Sequence, residues 1–306
     1  MQGFQGLNTY FQNNKMKNNK KLLRVSFGHK TDIGKYKRSE KNPKNQDYYD
    51  YNLGKGLFLL ADGHGTFGEF ASKKIVDSFK QELELIIESY EPPLTEGIFF
   101  NESSRLIKEI NNEILKDSKK DEEKEHIGAN RRRGTTFEAL LLTDEMLHIA
   151  HVGDSVIYAL YDDSRFEKLT SNSEKYLGKE EKITPLIKSF PLTGIVELLV
   201  ASDGITNMAT PNEIKQILAE NRYHPQYAAE KLVYLANNPR EIRKKKSDYL
   251  DENRKALELD AKEYGEDVEK RKQRLLDELG GSDNITVMVI EPVYDGYKKP
   301  EGLNVK

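Results

Sequence analysis

The feature that most constrains this chain is an apolar run that stops abruptly on an acidic turn, and it recurs. Leu57–Ala61 is apolar throughout and ends in Asp62-Gly63-His64-Gly65. Residues 196–201 end in Ser202-Asp203-Gly204, and Gly281-Ser282-Asp283-Asn284 opens the run 285–290. Such short apolar runs, bounded by turn residues, predict buried strands. Asp-Gly by itself is an ordinary turn pair, because Asp bonds its own backbone and Gly accepts positive φ. Recurrence changes the reading. Carboxylates anchored at several strand ends can converge on one rim of a sheet, and Asp154, in the strand-breaking Gly153-Asp154-Ser155, joins Asp62, Asp203 and Asp283 there. Several together repel one another unless a divalent cation neutralises them.

The rest of the pattern is mixed. Residues 1–20, rich in Asn, Gln and Lys, predict a disordered tail, and 296–306 a short carboxy-terminal one. A strand is expected at 22–27 and a loop over 28–47. Helical spacing marks 69–89, stopped by Pro92-Pro93, and 102–116. The charge run 119–125 reads as a solvated loop. For Arg131, Arg132 and Arg133 a phosphate contact and a solvated basic loop are both open. Runs at 137–142, 146–152 and 156–161, joined by two- or three-residue turns, predict antiparallel pairing. Pro opens helices expected at 211–220 and about 225–237. Residues 240–278 are densely charged and read as one or two exposed helices, a hairpin broken near Gly265.

Composition narrows the chemistry. With 306 residues the chain holds one large domain or two small ones. It has no cysteine, so a metal must be held by oxygen or imidazole, which favours Mg²⁺ or Mn²⁺ over structural zinc. Two such ions about 3.5–4 Å apart can activate water against a phosphate. A net charge of −3 gives no field favouring nucleic acid. No apolar run approaches a membrane span or the core of a signal peptide, so a cytoplasmic protein with no membrane partner is expected.

Six segments lie in one order over residues 45–290: Asn45-Gln46-Asp47, Ala61-Asp62-Gly63-His64-Gly65, Gly134-Thr135-Thr136, Ala150-His151-Val152-Gly153-Asp154-Ser155, Ala201-Ser202-Asp203-Gly204 and Ser282-Asp283-Asn284. In this the chain resembles the metal-dependent Ser/Thr protein phosphatases, the PPM or type-2C family. The resemblance implies an α+β fold, an antiparallel β-sandwich flanked by helix pairs, over residues 21–295. It implies hydrolysis of phosphoserine and phosphothreonine by a metal-activated water. Asp62 would bridge two metals, with the Gly63 carbonyl on one of them and Asp203 and Asp283 on the other. Asp154, with Asp203, would hold a third ion, Asp47 would bind metal directly or through water, and His64 would protonate the leaving oxygen.

The chain also departs from that pattern. Gln46 stands where many members have Glu. Asn42 stands where the family usually places a phosphate-binding Arg, and Arg38, Lys41 and Lys44 are the candidates to replace it. Val156 replaces an Arg that often follows Gly-Asp-Ser, and the Asp-His that commonly follows the Leu-Thr segment is missing after Leu169-Thr170. The interval from Asp154 to Asp203 implies a shortened flap, and 240–278 implies a helical insertion. The substrate is expected to be a phosphoprotein, with the enzyme opposing a Ser/Thr kinase. A protein partner at 240–278 and an inert solvated insertion are both open. The alternative function is a catalytically weak or inactive phosphatase-fold binding module, with a phosphatase of small molecules or RNA as a third reading. His151 is expected to be structural, and His29, His126, His148 and His224 have no partners at ligand spacing.

Overall fold

The runs read as strands are apolar on both faces because they are covered on both faces. In the computed structural model, which describes residues 22–39, 43–89, 95–126, 128 and 131–294, two five-stranded antiparallel sheets stack face to face. One has the order β1 (Leu22–Asp32), β12 (Ile285–Tyr294), β11 (Ile195–Ala201), β8 (Val156–Tyr161), β9 (Phe166–Lys168). The other has the order β10 (Leu186–Pro191), β7 (Met146–Val152), β6 (Phe137–Leu142), β3 (Leu57–Ala61), β2 (Tyr48–Asn52). A two-stranded ribbon joins β4 (Gly63–His64) to β5 (Gly134–Thr135).

Strand alternation divides the core into three layers. Phe58, Leu60, Ile149, Ile157, Leu198 and Met288 meet between the sheets. Leu57, Leu59 and Phe137 face α1 (Gly68–Ser89) and α2 (Glu96–Glu125). Leu199, Val287 and Val289 face α3 (Asp203–Thr206), α4 (Pro211–Glu220) and α5 (Pro225–Asn237). The result is the expected helix-flanked sandwich, with two helices on one side and two plus the short α3 on the other. Among the described residues no helix is long and apolar enough to cross a membrane.

Among the buried polar groups of this core are an ion pair and a lone carboxyl. Glu138 and His151 are paired across β6 and β7, with Nδ1 2.6 Å from the carboxylate and Nε2 donating to the Ser171 carbonyl at 2.8 Å. On β11, Glu197 is fully buried and neither carboxylate oxygen has a hydrogen-bond partner. Burial, reinforced by the Glu291 carboxylate and opposed by Arg222, pushes Glu197 up to about 8.

Several elements differ from their sequence reading. β1 continues to Asp32, because 28–32 pairs with β12 and is not loop. β2 and β10 are additional, half-buried edge strands. The run 119–125 is the last part of α2, not a loop. Lys and Glu are good helix formers, and its acidic side chains have partners: Glu122 binds Arg132 and Asp121 binds Arg133. Those two arginines are therefore ion-paired to the end of α2. Between β9 and β10, residues 170–185 form no helix, in keeping with a reduced flap. The tails, Lys41, Asn42 and Pro92-Pro93 lie outside the described residues.

The charged segment forms three helices, α6 (Arg240–Glu252), α7 (Arg254–Glu263) and α8 (Val268–Asp277), instead of one or two. Asn253 leaves helical geometry and Gly265 adopts φ +63, which breaks the chain twice. Buried Leu250, Leu257 and Ala261, together with pairs such as Arg243–Asp277 and Arg271–Asp260, tie the helices to one another. The segment's two ends are adjacent: a Cβ added at Gly280 would lie 2.4 Å from the Asn237 carbonyl oxygen and 3.6 Å from Pro239. Replacing 240–278 with a short Gly/Ser linker should therefore leave the rest folded, since closure cost changes slowly with loop length. The expected result is an unfolding midpoint within a few degrees of the full chain by circular dichroism; collapse would place the segment in the core.

Candidate active site

The strand ends share one rim. Tyr48 pairs with Ala61, which sets Asp47 beside Asp62, and Ala201 pairs with both Val156 and Val287, which brings Asp203, Asp154 and Asp283 to the same end of the other sheet. Side chains lock the two sheets together there. Thr136 Oγ1 and Ser155 Oγ lie 2.8 Å apart, and Ser202 Oγ donates to Asp47 at 2.9 Å.

The turn after β3 is fixed by its backbone. The Asp62 N–H donates to Thr136 Oγ1 at 2.9 Å, and its carbonyl accepts from Thr135 Oγ1 and the Thr136 N–H, each at 2.9 Å. Gly63 donates to the Gln46 carbonyl at 3.1 Å, and a Cβ here would fall 2.4 Å from the carbonyl oxygens of Gln46 and Gly68. Only glycine fits so close a backbone crossing. The Gln46 amide bonds the Gly65 carbonyl at 2.9 Å and Glu69 at 3.2 Å, so it joins the turn to α1.

Five carboxylates of this rim act on one another. Burial raises Asp47 to about 6, with Asp283 adding to the effect and hydrogen bonds from Thr286 and Ser202 opposing it. Asp62 is held well above the usual carboxylate range by burial and then by Asp47, Asp203 and Asp283. Asp203 is raised by burial and by Asp283 and Asp154. Asp47 Oδ1 and Asp203 Oδ1 are buried without a partner. Orphaned carboxylate oxygens in a crowded acidic rim fit a hard divalent cation, which would relieve both defects. Among the described residues, however, no three acidic or imidazole side chains already close on a common point.

The remaining acid, Asp283, is engaged by a cation. Its Oδ1 lies 2.7 Å from Lys37 Nζ, which also donates to Asn284 Oδ1 at 3.0 Å. Arg38 and Lys44, two of the basic residues considered from sequence, pair instead with Asp32 and Glu69. Lys37 had no local signal; its contact spans 246 residues. Asn284 was quoted only as a motif neighbour, yet its fully buried amide accepts from the Gln46 N–H and donates to the carbonyls of Ile33 and Lys44. It fastens the loop after β1 to the start of β12.

His64 lies on this rim with its Nε2 buried and unpartnered. Burial and then the Lys179 ammonium push the imidazole down to about 4, against the opposing pull of Asp283 and the Asp62 carbonyl. The Tyr176 ring meets it edge-on at 4.5 Å, and the Tyr176 hydroxyl donates to Asp154 Oδ2 at 3.0 Å. Tyr176 and Lys179 were missed because they sit in a polar stretch without motif or periodicity. The other histidines stay off the rim: His151 is buried with Glu138, His148 bonds Ser189 at 2.8 Å, and His29 stacks on Phe27.

Comparison with known proteins agrees with this geometry. The sequence profile of the family described as Protein phosphatase 2C matches residues 33–237. The protein phosphatase PhpP of Streptococcus pneumoniae is 27% identical over 239 residues, covering 68% of this chain and 89% of its own length. Among solved structures, the serine/threonine phosphatase Stp1 of Staphylococcus aureus has a TM-score of 0.62 at 21% identity, covering 90% of this chain and 98% of its own. The catalytic domain of the serine/threonine protein phosphatase PstP in complex with two manganese ions has a TM-score of 0.59 at 18% identity, covering 88% and 98%. With the profile spanning two-thirds of its length and the strand-end acids gathered on one rim, the chain belongs to the protein phosphatase 2C family.

Proposed function

We propose that this protein hydrolyses phosphoserine and phosphothreonine in protein substrates, with Mg²⁺ or Mn²⁺ held by its acidic rim. The observation that carries this reading is the set of buried, mutually repelling carboxylates with orphaned oxygens at Asp47 and Asp203. Asp62, Asp203, Asp283 and the Gly63 carbonyl would hold two ions, with Asp47 directly or through water, and Asp154 with Asp203 would hold a third. Bound there, the ions supply positive charge toward the phosphate and acidify a water for attack. The manganese ions of the PstP catalytic domain support that choice of metal. The chain's own residues do the rest. Asn284 and Ser202 hold the two sheets' ends in register, and Lys37 offers an ammonium to phosphate oxygens. His64 protonates the leaving alkoxide; an arriving phosphate dianion draws the imidazole back up from about 4 towards the protonated form.

A second reading, a phosphatase-fold binding module of low activity, draws on the Lys37 ammonium that already occupies Asp283. One assay separates the two. Phosphoserine peptide and p-nitrophenyl phosphate are supplied with Mn²⁺, and the metal is then chelated. Turnover that appears with Mn²⁺ and vanishes on chelation is the expected result. Turnover that survives chelation overturns the metal-dependent reading, and none under any condition favours the module.

A further inference from the structure

Lys179 is a cation that the fold holds at the acidic rim without a carboxylate of its own. The segment carrying it is clamped twice. The Leu177 N–H and carbonyl exchange hydrogen bonds with Thr135, each at 3.0 Å, and Asn111 bonds the Gly178 N–H at 2.8 Å and the Glu180 carbonyl at 2.9 Å. Gly178, at φ +79, packs within 2.5 Å of the Ile114 side chain at its missing Cβ. These constraints leave Lys179 facing inward. Its Cε and His64 Nε2 converge over Gly134, where a Cβ would lie 3.0 Å from the first and 2.5 Å from the second.

Among the described residues Lys179 has no ion-pair partner, and its nearest π contact is the Tyr176 ring at 5.8 Å from Nζ. Burial alone accounts for the lowering of its ammonium. Holding a half-buried lysine unpaired is costly, and it weakens His64 as a base by repulsion. The Lys179 stem is covered beside His64 and Gly134, which sets the ammonium at the mouth of the site with no ion-pair partner among the described residues. An ammonium next to the imidazole and Tyr176, where Lys37 is already paired with Asp283, suits a dianion that arrives beside His64.

We propose that Lys179 is a substrate-binding residue that contacts the phosphate oxygens of the phosphoprotein on the His64 side of the site. The assignment rests on the phosphatase reading, and Tyr176 serves as its positioning partner by bracing Asp154 and His64. Because the Lys179 side chain makes no hydrogen bond among the described residues, substitution leaves the clamps at Thr135 and Asn111 intact.

The test measures binding of inorganic phosphate to the Mn²⁺-loaded full chain by titration calorimetry, alongside KM and kcat on a phosphoserine peptide. For Lys179→Ala, phosphate affinity should fall about tenfold to a hundredfold and KM should rise comparably, with kcat changed much less. Lys179→Arg should keep phosphate affinity within a few-fold. Unchanged phosphate affinity and KM in Lys179→Ala overturn the proposal. So does a fall in kcat on the peptide at unchanged phosphate affinity, which would make Lys179 a proton donor. A wild-type chain that binds phosphate, with binding lost in Lys179→Ala, but hydrolyses nothing defeats the phosphatase reading while leaving this site standing. A wild-type chain that binds no phosphate defeats both.

Discussion

Asp62→Asn should lower turnover of a phosphoserine peptide by about 10²-fold or more at saturating Mn²⁺ while leaving the chain folded and no less stable. The backbone of residue 62 is held by Thr135 and Thr136, so the turn survives the substitution. The side chain is another matter. Its carboxyl is raised by burial and by three neighbouring acids, so the folded state binds its proton more tightly than the unfolded state does. Such a group weakens folding progressively as pH rises above the ordinary carboxylate value, and the weakening is complete once pH passes the folded value. Asn removes that cost in the metal-free protein. Thermal unfolding without metal should thus show a midpoint equal to or above wild type near neutral pH, whereas the stabilisation that Mn²⁺ gives wild type should shrink. Wild-type turnover in the variant would show that Asp62 is not a ligand.

Glu197→Gln is expected to stabilise the fold by an amount that grows with pH. The native carboxyl is buried, has no hydrogen-bond partner, faces Glu291 and stands at about 8. Unfolded, the same group titrates near 4.5. Below that value both states hold the proton and nothing is lost. Between the two values the unfolded chain ionises while the folded one stays protonated, so folding is progressively disfavoured, and above about 8 the penalty is constant. Gln cannot ionise and keeps the shape. Its stabilisation over wild type should therefore be near zero at pH 4.5 and grow to about 2–4 kcal/mol at pH 8. Urea unfolding at several pH values measures this. A difference that does not change with pH would mean the carboxyl is not protonated in the fold.

How far the sequence carried is best seen element by element. The helices Pro211–Glu220 and Pro225–Asn237 were readable to within a residue because proline marks each start and apolar spacing runs to the end. The buried strands were readable because burial on both faces makes them continuously apolar. β2 and β10 were not, since edge strands half exposed on the rim of a sheet carry Tyr, Lys and Ser without a clear period. Charge density misled twice, at 119–125 and in the break count of 240–278, because Lys and Glu are solvated and helical with equal ease. The acids of the rim were legible because each marks a strand end. Lys37, Asn284, Tyr176 and Lys179 were not, because their roles arise from partners far along the chain or from a stretch with no pattern of its own.

Pairing of the first described strand with the last sets an order of events during synthesis. Among the described residues β1 pairs only with β12, and the Asn284 amide reaches the Ile33 carbonyl across 251 residues. Helices α1 and α2 and the sheet beneath them can gather while the ribosome is still translating, because β2, β3, β6 and β7 follow one another closely. The other sheet stays open along β1 until the last strand emerges, and closing so long a loop is the slow step of such topologies. Asp47 and Asp62 thus wait for Asp283 and Asn284, and a nascent or truncated chain lacking β12 has no assembled acidic rim.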